Sequence, residues 1–82
     1  MGIVESIMDV PSEHISNISG QLDMNMKKIE RTLRVSLVPR DGAIKIIGAP
    51  GAVNRARGVL QGLLELSQRG TLITEQNVDY IL

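Results

Sequence analysis

The chain has 82 residues, enough for one small domain near the lower limit of what folds without a metal or disulfides. Apolar residues make up 43% and support a core, but with one Tyr and no Phe or Trp that core is aliphatic. Nine Lys plus Arg balance nine Asp plus Glu, Cys is absent and His14 is the only histidine. A disulfide framework, a thiolate metal site and a histidine cluster are excluded, and only the local distribution of charge can point to a partner.

In chain order, Ile3 to Val10 is apolar with Glu5, Ser6 and Asp9 interspersed, and its length and β-branched content suit a strand that Pro11 stops. Ser12-Glu13-His14 supplies a helix start, with Ser12 as the cap and Glu13 as the first-turn acid. Ile15 and Ile18 share a face of that short helix, and Gly20 ends it. In the next helix Leu22, Met26, Ile29 and Leu33 form one apolar stripe, with Asp23 as its expected cap. Lys27, Arg31 and Arg34 lie opposite the stripe and Lys28 toward one flank.

Val35 to Val38 reads as a strand closed by Pro39, and Arg40-Asp41-Gly42 carries an Asp-Gly hairpin signal before a returning strand at Ala43–Ile47. Gly48 ends that strand, and Ala49-Pro50 opens a long helix. Ala52, Ala56, Val59, Leu63 and Leu66 are its expected buried face, with Val53 and Leu60 at the edge. Gln68-Arg69-Gly70 terminates it. Thr74-Glu75 caps a last short helix in which Val78, Ile81 and Leu82 share a side. The apolar final turn gives the expectation that this is a segment of a longer protein.

No nucleophile–base pair or metal-ligand spacing is present, so no catalytic residue, no metal site and no enzymatic activity are expected of this chain. His14, without ligand partners, reads as a surface or boundary residue. The stretch Gly48-Ala49-Pro50-Gly51 lacks the Gly-Lys-Ser/Thr ending of a phosphate-binding loop and reads as a strand-to-helix turn. Met1 to Ser6 fits the loose myristoylation template, but the pattern is short and reads as a start Met before a small residue. No apolar run approaches membrane-spanning length and no secretory pattern is visible, so the expectation is a cytoplasmic protein without a membrane partner.

The strongest local feature is four cations in eight residues, Lys27, Lys28, Arg31 and Arg34. On charge alone this is more often a solvated face, aided by the favourable dipole at a helix C-terminus, than a binding surface. The order β-α-α-β-β-α adds context. Gly20-Gln21-Leu22-Asp23 stands where a GxxG loop would be, followed by the spacers Met24-Asn25 and the apolar pair Met26 and Ile29. Arg34-Val35-Ser36-Leu37 then begins a strand, Asp41-Gly42 makes the hairpin, and Ile44-Lys45-Ile46-Ile47-Gly48 precedes the last helix. This register resembles a KH domain of the minimal, type I kind over about Val4 to Ser67.

The closer resemblance is to the N-terminal region of PhoH-like (phosphate starvation-inducible) proteins, bacterial ATPases of the P-loop class. It is carried by Gly20, Leu22-Asp23-Met24-Asn25, Ile29-Glu30, Leu33-Arg34-Val35, Arg40-Asp41-Gly42, Ile44-Lys45-Ile46 and Gly48. The resemblance implies an α+β, type I KH-like fold, a three-stranded antiparallel sheet packed by helices on one face. It divides the chain into a KH-like domain at 3–68 and a connector at 69–82 leading toward an ATPase domain. No cofactor is expected in this chain; ATP and Mg belong to that ATPase domain.

The implied function is a single-stranded RNA-binding module that presents substrate to the ATPase domain of the same chain. Its groove would use Gly20, Gln21, Asn25, Lys27, Lys28 and Arg31, with Arg40 and Lys45 as outer members. Such loops clamp nucleotides through the backbone, and phosphates must approach the main chain closely. Asp23 replaces the second glycine and repels phosphate, and aromatic platforms for bases are missing, so binding is expected to be weak, of low specificity and salt-dependent. The alternative is a protein-interaction or assembly domain that docks on or regulates the ATPase, or organises a homo-oligomer.

Overall fold

A computed structural model describes residues 2–82; Met1, part of the amino-terminal pattern, lies outside them. The elements are β1 (Val4–Asp9), α1 (Ser12–Ser19), a 3₁₀ turn (Gln21–Asp23), α2 (Met24–Leu33), β2 (Ser36–Arg40), β3 (Ala43–Gly48), α3 (Pro50–Gln68) and α4 (Glu75–Ile81). The strands form one antiparallel sheet in the order β1-β3-β2, so β3 is central and the other two are edges. This is the α+β, KH-like architecture that the element order implied.

Strand alternation fixes which face is covered. Ile44 and Ile46 of β3 are fully buried, and their register partners Met8 in β1 and Leu37 in β2 are buried with them. Ala43, Lys45 and Ile47 therefore point to the other side, together with Ile7 and Val38, the partners of Lys45. The helices supply the opposing wall with Ile18, Met26, Ile29, Leu60 and Leu63. Each fully buried Leu or Ile contributes about 1.5–3 kcal/mol, which is how an aliphatic core without aromatic rings suffices.

Four local expectations change. The first helix is not capped by Ser12: Pro11 holds the cap position, and its carbonyl accepts from the His14 and Ile15 N–H groups at 2.9 and 3.1 Å. Pro39 does not close β2 but lies inside it, opposite Ile44. An edge strand permits this, because the missing N–H would have faced away from the sheet. On α3, Leu64 is buried and Leu66 only partly, and Val53 and Leu60 belong to the buried face rather than its margin. Leu22 leaves the apolar stripe altogether: α2 begins only at Met24, and Leu22 is 83% exposed in the preceding turn.

Residues 71–82 pack onto the same core. Ile73 and Val78 are buried, and Ile81 lies against Gly62, where an added Cβ would come within 3.2 Å of Ile81 Cδ1. Thr74 caps α4 as expected: its Oγ1 accepts from the Asn77 N–H at 3.3 Å, and Asn77 Oδ1 accepts from the Thr74 N–H at 2.9 Å.

Candidate nucleic-acid interface

The turn between α1 and α2 is built on backbone conformations that side chains disfavour. Gly20 sits at φ 75°, ψ 179°, a region open essentially to glycine alone. A Cβ there would lie 2.6 Å from Asn25 Nδ2, so a side chain would also have to displace the buried Asn25 amide. Leu22 (φ 55°, ψ 29°) and Asp23 (φ 58°, ψ 24°) follow in the left-handed region, where an L-residue costs roughly 1–2 kcal/mol. Asp23 was expected to cap α2. It occupies the cap position with a left-handed backbone, and its side chain makes no capping hydrogen bond.

The proposed site residues fall into two groups. Gly20, Gln21, Asn25, Lys28 and Arg31 line one cleft of about 290 Å³, together with Met24 and the segment Ile73–Glu75. Asn25 contributes from beneath: it is only 6% exposed and fills the space under Gly20. Lys27 faces the adjacent surface, where it lines a second cleft with Met24, Glu30 and Arg31. Arg31 borders both. Arg40 and Lys45 are elsewhere, on the sheet face turned away from the helices, flanking a shallow cleft with Ile7 and Ala43. The strand pleat puts them there, so they do not extend the surface formed by the loop and α2.

The cations of α2 differ in what surrounds them. Lys28 is held by α4, with Nζ in contact with Asp79 Oδ1 and 3.8 Å from Glu75 Oε2. The hydrogen bond to Asp79, and then the charges of Asp79 and Glu75, raise its pKa above the ordinary lysine value. Among the described residues neither Lys27 nor Arg31 forms an ion pair. Glu30 is occupied differently: its Oε2 accepts the Leu37 N–H at 2.8 Å, tying α2 to the outer edge of β2.

Two further features were not visible in residue spacing. Leu22 and Met24 (59% exposed) make the turn apolar at its tip. Behind the turn, Asn17 joins α1 to the segment after α3. Its Nδ2 donates to Ser67 Oγ and to the Thr71 carbonyl, both at 2.8 Å, and its Oδ1 accepts the Ile73 N–H at 3.0 Å. His14, read as a boundary residue, completes this network with a 2.6 Å hydrogen bond between Nδ1 and Ser67 Oγ. Among the described residues no group of three or more His, Cys, Asp or Glu is placed to hold a metal ion, and no helix is long and apolar enough to cross a membrane.

No protein-family model matches the chain. It is similar to PhoH-like proteins of Mycobacterium bovis and of two strains of Mycobacterium tuberculosis, 32% identical over 75 residues in each. The matched stretch is 92% of this chain but 21% of the relatives, so the chain spans about a fifth of their length. Among solved structures, a chain of the a/eIF2alpha–aDim2p–rRNA complex from Pyrococcus horikoshii superposes with a TM-score of 0.69. That match covers 89% of this chain and 47% of the other at 21% identity, and at that identity it speaks for the fold. The chain thus has a KH-like fold and is similar, over most of its length, to a segment of the PhoH-like proteins.

Proposed function

We propose that this domain binds single-stranded RNA weakly through the Gly20–Asp23 turn and the exposed face of α2, within a PhoH-like protein whose ATPase domain acts on the bound strand. The observation that carries the reading is the strained turn itself. Gly20, Leu22 and Asp23 hold positive φ at the head of a helix whose Lys27 and Arg31 are exposed and outside any ion pair among the described residues. Strain of this kind persists where the surrounding structure fixes it, and it collects at ligand clamps. The Gly20 N–H is spent on the Ser16 carbonyl, so Gly20 serves by leaving room for a phosphate to approach the Gln21 backbone, while Lys27 and Arg31 hold the strand from one side. The archaeal neighbour, drawn from a complex that contains rRNA, supports the same reading. ATP and Mg are assigned to the ATPase domain, and the role of 69–82 as a connector toward it belongs to this proposal. Arg40 and Lys45, on the open sheet face, would contact only a strand that wraps around the β2 edge.

Fluorescence anisotropy with a short single-stranded RNA at low and moderate salt tests the proposal. The expected result is micromolar binding that weakens steeply with salt, and a loss of about tenfold in the Lys27→Ala, Arg31→Ala double variant. Absence of binding at high micromolar protein, or indifference to that double substitution, removes it.

A second reading is favoured by Leu22, Met24 and the carboxylate of Asp23, which make the turn more apolar and more acidic than a phosphate clamp. Here the domain docks on the ATPase or organises its assembly. Addition of the isolated chain to the ATPase without RNA discriminates: a changed ATPase rate or oligomeric state supports docking.

A further inference from the structure

We infer that α4 is a built-in competitor for the basic helix, an acidic element whose Glu75 and Asp79 occupy Lys28 and must be displaced before Lys28 can hold an anion. The inference rests on the RNA-binding reading and adds to it an internal restraint. Both carboxylates are directed at one cation of α2: Asp79 touches Lys28 Nζ, and Glu75 stands 3.8 Å from it. Glu75 also lines the cleft that contains Gly20, Gln21 and Arg31. A phosphate entering that cleft therefore meets a carboxylate on the wall opposite the cations.

The acidic wall cannot simply drift away. Val78 is fully buried on the inner side of α4, Ile73 is buried just before it, and Ile81 fits against Gly62. The Thr74–Asn77 capping box fixes the helix start, and Asn17 holds the segment before it. With α4 docked, competition takes place between side chains. Lys28 must rotate off Asp79, at the expense of a direct ion pair, to reach a phosphate. Lys27 and Arg31 carry no such restraint. The three cations are therefore not equivalent, although the sequence presents them as one cluster.

The test measures RNA affinity of the full 82-residue chain by anisotropy for wild type, Lys28→Ala, the Glu75→Gln, Asp79→Asn double variant, and that double variant with Lys28→Ala added. The double variant is expected to bind about three- to tenfold more tightly, with a salt slope steeper by about 0.7, one additional phosphate contact on a single strand. Lys28→Ala alone weakens binding less than Lys27→Ala does, and in the double variant it abolishes the gain. A wild type that does not bind at high micromolar protein removes the RNA reading and with it the inference. Should wild type bind with the double variant no tighter, should the gain survive Lys28→Ala, or should Lys28→Ala alone weaken binding as much as Lys27→Ala, the inference falls while the RNA reading stands. If no variant binds RNA, both fall. Thermal melting checks that α4 stays docked; if the double variant loses it, Asp79→Asn alone, which leaves the Thr74–Glu75 helix start intact, takes its place with the same expected direction.

Discussion

Two turns in this molecule reverse the chain with opposite means. Between β2 and β3 the reversal takes only Asp41 and Gly42, and the one positive φ, 72°, falls on the glycine. Between α1 and α2 the chain uses Gly20 to Asp23, and two of its three positive-φ residues are Leu22 and Asp23. The hairpin puts the permissive residue where the backbone needs it and stores little strain. The helix turn keeps side chains where glycine would relax the backbone, beside an exposed cationic surface. The helix turn is thus strained where the hairpin is not, and the RNA-binding reading gives that strain a use.

Substitutions can break this comparison. The largest effect is expected from Gly20→Ala, which sets a Cβ 2.6 Å from Asn25 Nδ2 and forces a glycine-only backbone region. It should cost about 3 kcal/mol or more in urea unfolding. Gly42→Ala meets no atom within 4 Å, so only its φ of 72° opposes the change. A loss of about 1–2 kcal/mol is expected by the same measurement. If Gly42→Ala cost as much as Gly20→Ala, the distinction between a relaxed and an over-determined turn would collapse.

Leu22→Gly should act in the opposite direction. Leu22 is exposed and left-handed, so its replacement relieves strain and loses little burial. Part of the relief is offset by the freer unfolded chain, leaving a gain of about 0.5–1 kcal/mol. A destabilised Leu22→Gly variant would mean that the leucine packs on the domain itself and that its backbone is not strained.

The smallest effect concerns pH and separates the turn from the neighbouring ion pair. The Lys28 pKa is raised by Asp79 and Glu75, so the pair's contribution is complete below the ordinary lysine value of 10.5 and is lost as pH rises through the higher folded value. Thermal stability followed from pH 8 to 11.5 should therefore decline at the alkaline end less in Lys28→Met than in wild type. The Gly20→Ala and Gly42→Ala penalties, being steric, should not change over that range.

Much of the fold was legible because punctuation in the sequence is local. Pro11, Gly20, Asp41-Gly42, Pro50 and Thr74 each act on their own few residues, and they placed the three strands and four helices. The errors share a cause. Leu22 matches a 3.6-residue period, yet the helix starts two residues later because Leu22 and Asp23 take left-handed backbone that a right-handed helix cannot contain. Pro39 breaks central strands but not edges, and strand order is not written in strand sequence. The site was half legible for the same reason. Spacing grouped Lys27, Lys28 and Arg31 on α2, but the partners of Lys28 are 47 and 51 positions further on, in α4. Arg40 and Lys45 looked like members of one basic surface until strand pleating put them on the other side of the sheet.

The Asn17 side chain has a consequence for the tempo of the molecule. The stretch from Thr71 to Ile73 belongs to no helix or strand, yet the Ile73 amide proton is held by an α1 side chain rather than by water. Its exchange with deuterium should therefore follow the opening of α1 instead of the rapid fluctuations of an ordinary coil. An Asn17→Ala variant would release that one proton to solvent exchange well before the amides of β3. A single amide thus reports whether the first helix and the last remain joined.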